Sequence, residues 1–239
     1  SRSNGRKRYK LQEYLGGRIG KSAVYLAQDT HLGLVALKFI SAPDDKTRSR
    51  FQREIKMLAR VAHPKVVATK SEQVMSSNDA TLMVAVLEYL PNKTIDHFVT
   101  SLGKLDQQLV IKMAIDILSG LEHIHLKGVI HKDIKCLNIL CGTDGYKIAD
   151  FGISSIDASA KASVSETMLT LTRTGVQRAP VGTPHYMSLE QHTSQPIDFR
   201  TDIWSLGIVM HRCLSGEYPF GNGAGNFQQV LLRCCWVND

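Results

Sequence analysis

The chain has 239 residues, 43% of them apolar and 21% charged, with 29 Lys+Arg against 22 Asp+Glu. That composition belongs to a globular protein with a sizeable core and excludes a disordered or fibrous one. The net charge of +7 and the pI near 9.2 fit a solvated basic surface and also suit an acidic partner, but basic and aromatic residues are not interleaved as on a nucleic-acid surface.

In chain order, residues 1–8 carry four of the positive charges and read as a frayed tail. Residues 18–29 and 34–40 alternate and are rich in Val, Ile, Leu and Tyr, which predicts two strands around a turn at His31-Leu32-Gly33. Residues 48–62 place Phe51, Ile55, Leu58 and Ala62 on one helical face, and His63-Pro64 ends that helix. Leu82 to Leu87 is the longest apolar run, suited to a buried strand and far short of the ~20 residues of a membrane span. Pro91-Asn92 turns the chain out of it. A long helical pattern follows over 105–126, closed by Gly128, and another over 201–214, with Ser/Thr-rich sequence lacking periodicity at 154–174. The pattern is α+β: a small β-rich part, residues 1–90, and a mostly helical part, residues 91–239.

The cysteines at 136, 141, 213, 234 and 235 form no C-x-x-C and no zinc spacing. An odd number of them, with no secretory h-region, points to a reducing, intracellular setting.

Chemistry concentrates in His131-Lys132-Asp133-Ile134-Lys135-Cys136-Leu137-Asn138 and in Asp150-Phe151-Gly152, twelve residues after the Asn. These side chains supply a carboxylate base, a cation and two oxygen donors for a hard metal ion. Chemistry on a phosphate needs that set, because it proceeds mostly by positioning and by neutralising charge on the transferring oxygens. One acidic turn alone would be an ordinary solvated turn, and a lone Asp-Phe-Gly carries little information; the combination is specific. Upstream, Lys38 closes Val35-Ala36-Leu37-Lys38, and Glu54 follows sixteen residues later on the helical pattern. Taken alone, Lys38 reads as a solvated lysine at a strand end.

These motifs, in this order, resemble the eukaryotic-type protein kinases, over roughly residues 9–220. The resemblance implies a bilobal fold, with a five-stranded antiparallel sheet and one main helix in a nucleotide-binding lobe, then a helical catalytic lobe. It implies Asp133 as catalytic base, Lys135 against the γ-phosphate, and Lys38 on the α- and β-phosphates of ATP, held by Glu54. Asn138 and Asp150 would hold Mg2+ or Mn2+. Ile19, Gly20, Val24, Ala36 and Leu140 would enclose the nucleotide, with Leu87 behind the adenine and backbone groups of Glu88 to Leu90 on its edge. Leu58, His131 and Phe151 would stack in a regulatory column, Glu190 would match the glutamate of an Ala-Pro-Glu motif, and Asp202 would anchor the catalytic-loop backbone. Lys135 and Gly182-Thr183-Pro184-His185-Tyr186-Met187 resemble the Ser/Thr-specific class, with Thr183 bonding Asp133 and Lys135. The phrases 182–191 and 202–207 look most like its bacterial branch, which implies a cytoplasmic catalytic domain, often within a longer membrane-anchored chain. The reaction implied is transfer of the γ-phosphoryl group of MgATP to Ser/Thr hydroxyls of protein substrates, including autophosphorylation; dimerisation is left open. The alternative is a pseudokinase, a binding or scaffold module without turnover.

Four departures qualify the resemblance. The glycine loop, Gly16-Gly17-Arg18-Ile19-Gly20-Lys21-Ser22-Ala23-Val24, is about three residues short of Gly-x-Gly-x-x-Gly-x-Val. A genuine deletion there would weaken the cover over the phosphates. It is not a P-loop either: Gly16 and Gly20 are separated by three residues, not four. Lys132 stands where the family has Arg, so coupling to a phosphate on Thr167, Thr170, Thr172 or Thr174 would be weaker, a point charge replacing a bidentate fork. Leu189 replaces the Pro before Glu190, and the helical lobe stops soon after Tyr218-Pro219-Phe220, with Arg233 poorly placed to pair with Glu190.

Overall fold

The computed structural model describes residues 8–18, 22–41, 61–77, 80–150, 184–193 and 196–221, together with 49 and 52. The chain divides into two compact units, Ser1–Pro91 and Asn92–Asp239.

The first unit is one antiparallel sheet of five strands: β1 (Tyr9–Arg18), β2 (Ser22–Asp29), β3 (Gly33–Ser41), β4 (Thr69–Ser77) and β5 (Ala80–Glu88), in the order β1-β2-β3-β5-β4. Central β3 and its neighbour β5 read as nearly unbroken apolar runs, as strands apolar on both faces do. Ala27, Val35, Leu37, Val84 and Val86 form a buried cluster on one face, with Tyr9 and Phe39 packed against it. Because side chains alternate, the opposite face collects Val24, Leu26, Ala36, Lys38, Ala85 and Leu87; the register sets Val24 across from Lys38, Lys38 from Ala85 and Ala36 from Leu87.

Two strand expectations change. The strand expected over 18–29 is β2 alone, beginning at Ser22, because Arg18 ends β1 and pairs with Ser22. Strands β1 and β4 carried no apolar alternation; both are edge strands, rich in Lys, Glu, Gln and Ser, and an edge needs such residues to avoid pairing with another chain. The β2–β3 turn is fixed by Asp29, only 1% exposed. Its carboxylate accepts the His31 N–H at 2.8 Å and the Arg8 guanidinium at 3.1 Å. Burial pushes its pKa up, but these donors together outweigh that and hold it below the usual carboxylate value. The helix expected over 48–62 lies almost wholly outside the described residues.

The second unit begins with α1 (Ile95–Leu102) and α2 (Gln107–Leu126). The Thr94 hydroxyl caps α1 by accepting the His97 N–H, and the Asp106 carboxylate caps α2 through Gln108 N and Leu109 N. Along α2 the buried positions Val110, Met113, Ala114, Ile117, Leu121 and Ile124 form one stripe. The helix ends in a Schellman motif at Gly128, φ 74°, with Gly128 N bonded to His125 O and Val129 N to Ile124 O. A 3-10 turn (Cys136–Asn138) and the hairpin β6 (Ile139–Gly142)–β7 (Gly145–Ile148) follow. Asp116 of α2 holds the hairpin by accepting the Tyr146 N–H at 2.9 Å. After a 3-10 turn at Pro184–Tyr186 come α3 (Leu189–Thr193) and α4 (Arg200–Ser215). The ends of α1 and α4 meet backbone to backbone: a Cβ on Gly216 (φ 81°) would sit 2.4 Å from the Gly103 carbonyl oxygen. No described helix is long and apolar enough to cross a membrane.

Candidate active site

The loop between α2 and the 3-10 turn is held from beneath by a carboxylate of α4. Asp202 is fully buried and accepts His131 N at 2.8 Å, Lys132 N at 2.7 Å and the His125 ring at 2.8 Å. His125, in the last turn of α2, was not singled out by sequence; its partner lies 77 residues away and no spacing announces it.

His131 is buried, and its two ring nitrogens have distinct partners: Nδ1 accepts the Asp133 N–H at 3.3 Å and Nε2 faces Ala149 O at 3.2 Å. Nδ1 therefore carries the lone pair and Nε2 the proton, a neutral ring. Burial lowers its pKa, against the raising effect of Asp202 and Asp133, in agreement with that tautomer.

Above this base, Asp133 Oδ2 accepts Lys135 Nζ at 2.6 Å and Asn138 Nδ2 at 3.0 Å, and Asn138 Nδ2 also donates to Asp133 O at 2.8 Å. The Asp133 side chain remains 41% exposed, so its second oxygen can meet a substrate. Asn138 is buried; with its NH2 committed to Asp133, its oxygen is the atom left for a hard cation. Asn138 O accepts Ala149 N at 2.8 Å, which ties the turn to the residue before Asp150. Asp150 is exposed and has φ 55°, left-handed like Lys132 at 65°. Two adjacent turns thus bring a hydrogen-bonded carboxylate, an ammonium and an amide into contact, with a second carboxylate next in line.

A family model described as protein kinase domain matches residues 9–236. The chain belongs to the protein kinase family. Its relatives include the serine/threonine-protein kinase PknB of Mycobacterium leprae and that of Mycobacterium tuberculosis, each 34% identical over 218 residues that cover 89% of this chain and 33% of theirs. A protein named probable serine/threonine-protein kinase from Clostridium acetobutylicum is likewise 34% identical over 218 residues, 89% of this chain and 31% of that protein. The kinase domain thus spans about a third of the length of the curated relatives it matches. Protein kinases as a family use ATP.

In the first unit of this kinase domain, Val24, Ala36, Lys38 and Leu87 share one sheet face, with Ala36 buried and the others partly so. At the end of β5, Glu88 N donates to Ala68 O at 2.8 Å, so that N–H is engaged and the base edge expected from Glu88 reduces to its carbonyl. In the second unit, Leu140 sits on β6 beside Thr94, in an isolated bridge. Glu190 borders a surface cavity of about 350 Å3 with Ser188, Pro196, Asp198, Arg200 and Trp204. Ser205 Oγ lies 2.7 Å from Tyr186 O and pins the Pro184–Tyr186 turn to α4. Ile19, Gly20, Glu54, Leu58, Phe151, Gly152, Thr183 and the threonines 167, 170, 172 and 174 lie outside the described residues.

Cys136, Cys141 and Cys213 are free thiols. Burial pushes Cys141 up to about 11, and Cys136 and Cys213 are wholly buried. Cys136 and Cys213 belong to the core.

Proposed function

We propose that this kinase domain transfers the γ-phosphoryl group of ATP to Ser or Thr hydroxyls of protein substrates, including threonines of its own segment 167–174. The observation that carries the reading is the Asp133 carboxylate, fixed on one oxygen by Lys135 Nζ and Asn138 Nδ2, on a side chain that is 41% exposed. A substrate hydroxyl placed against the carboxylate gives up its proton to Asp133 as its oxygen attacks the γ-phosphorus and the bond to the β-phosphate oxygen breaks. Lys135 holds Asp133 in place and offers its charge to the transferring oxygens. By the family's pattern, Lys38, on the sheet face with Val24 and Ala36, is the candidate for the α- and β-phosphates, with Glu54 as the candidate partner for its ammonium. By the same pattern, Ile19, Gly20, Glu88, Leu90 and Leu140 are the remaining candidates for nucleotide contacts.

The donor set at Asn138 and Asp150, an amide oxygen with its nitrogen already bonded and an exposed carboxylate, fits Mg2+ or Mn2+, both hard cations. Bound there, the ion neutralises charge on the phosphate oxygens. Residues 1–90 form the nucleotide-binding lobe and residues 91–239 the catalytic and substrate-docking lobe, working in the cytoplasm. The Ser/Thr class is supported by Lys135 and by the names of the relatives.

The test is radiolabelled ATP with the purified domain and Mg2+, beside Asp150→Ala, followed by phosphoamino-acid analysis. Label on Ser or Thr that vanishes in the variant is expected. A folded, nucleotide-binding domain that incorporates no label would overturn the reading in favour of a module without turnover.

A further inference from the structure

Lys132 precedes the candidate base and holds φ at 65°, a region that an L side chain enters only at steric cost and keeps only when its surroundings enforce it. Both of its backbone polar groups are held by side chains of other elements. Its N–H donates to Asp202 Oδ1 on α4 at 2.7 Å, and its carbonyl accepts Gln191 Nε2 on α3 at 3.0 Å. The other end of the same amide faces three partners: Gln191 Oε1 accepts the Ser188 N–H at 3.0 Å and lies 2.8 Å from Thr201 Oγ1 and 3.2 Å from Ser188 Oγ, two hydroxyls that also bond each other at 2.5 Å, so that one of them donates to the amide oxygen. Ser188 and Thr201 are 1% and 0% exposed. The amide has one favoured orientation, since a flip would set NH2 against the Ser188 N–H and oxygen against the Lys132 carbonyl.

We infer that Gln191 is a positioning residue for phosphotransfer. Through the Lys132 carbonyl it fixes the left-handed backbone that aims Asp133, and it does so only when Ser188 and Thr201 hold its oxygen. The chain segment after the Pro184–Tyr186 turn and the start of α4 are thereby linked, through one side chain, to the geometry of the base. This role rests on the phosphotransfer reading above. The plainer role for Gln191, bracing α3 onto α4, uses only its oxygen. The positioning role needs its nitrogen.

The two roles separate on three variants assayed in the full domain. Gln191→Glu keeps an acceptor for Ser188 and Thr201 but removes the donor to Lys132. Gln191→Ala removes both. Lys132→Gly lets the backbone take φ near 65° without strain and so reduces what the clamp must enforce. With positioning, Gln191→Ala and Gln191→Glu each lower kcat on the order of 10- to 100-fold, as small misplacements of a reacting group do, while KM for ATP stays within about threefold. In the Lys132→Gly background the Gln191→Ala loss shrinks several-fold. Wild-type kcat in Gln191→Glu, or a Gln191→Ala loss that is undiminished when combined with Lys132→Gly, would overturn the inference.

Hydrogen exchange reads the clamp without activity. Amides of residues 131–133 should exchange faster in Gln191→Ala and Gln191→Glu than in the wild type, and the increase should be smaller with Lys132→Gly. Unchanged protection there overturns the clamp. A wild-type domain with no phosphotransfer but with this exchange pattern overturns the proposed function and leaves the clamp standing.

Discussion

The Asp202 carboxylate accepts the backbone N–H of Lys132 at 2.7 Å across 70 residues of sequence. One buried group on α4 thereby sets the backbone next to Asp133, and it also accepts His131 N and the His125 ring. Asn at this position offers a single oxygen and turns an NH2 toward a donor. Asp202→Asn should therefore destabilise the domain by ~3 kcal/mol or more, the scale of charged hydrogen bonds lost in a buried site. A urea titration showing under ~1 kcal/mol would contradict that account.

Asp133→Asn should behave oppositely, leaving stability nearly unchanged and removing activity. The side chain is 41% exposed and its ion pair with Lys135 is partly solvated, so little stability depends on it. Loss of a general base typically lowers rate by ~10²–10⁴-fold. Paired thermal melts and kinase assays distinguish this from unfolding, which would lower both together.

His131 gives the domain an acid-side sensitivity. Burial holds its pKa below the ordinary value, near 6.5 in an unfolded chain. Above about pH 6.5 the ring is neutral in both states, and the stabilisation is fully present. As pH falls below that, the unfolded chain takes up a proton that the buried ring refuses, and stability is lost towards the lower folded value. Urea midpoints should drop between pH 7.5 and 5.5, and His131→Phe should flatten that dependence. An identical slope in the variant would rule out His131 as its source.

Gly216→Ala should destabilise without touching chemistry. The position has φ 81°, and a Cβ would press on the Gly103 carbonyl at 2.4 Å, so backbone must shift. Strain of this kind costs ~1–3 kcal/mol. The expected result is a lower melting temperature with kcat preserved at permissive temperature; an unchanged melt would mean that the two helix ends separate freely.

How much of this was legible in the sequence differs by element. Helices α2 and α4 are legible by apolar periodicity, β3 by its alternation next to the His31-Leu32-Gly33 turn and β5 by its apolar run, because each buries a continuous surface. Strands β1 and β4 are not, because polar edge strands bury too little to leave a pattern, and their pairing is decided by the neighbour. Helix α1 was missed although Thr94 caps it; with eight residues it has barely two turns in which to show a period. In the site, Asp133, Lys135, Asn138 and Asp150 stood out because their chemistry is local and closely spaced. His125 and Gln191 stayed hidden because each works through a backbone group or carboxylate supplied by another element, which no single-segment pattern can display.

The Schellman end of α2 at Gly128 and the capture of His131 N by Asp202 pin the chain at two places with two residues, Val129 and Ile130, between them. That short span acts as a ruler. Side chains on it can vary so long as Val129 stays apolar and buried, but a single inserted or deleted residue shifts every later atom of the loop off its partners. Sequence drift in this stretch should therefore consist of replacements at constant length, and a natural or engineered insertion here would mark a protein that had given up the reaction while keeping the fold.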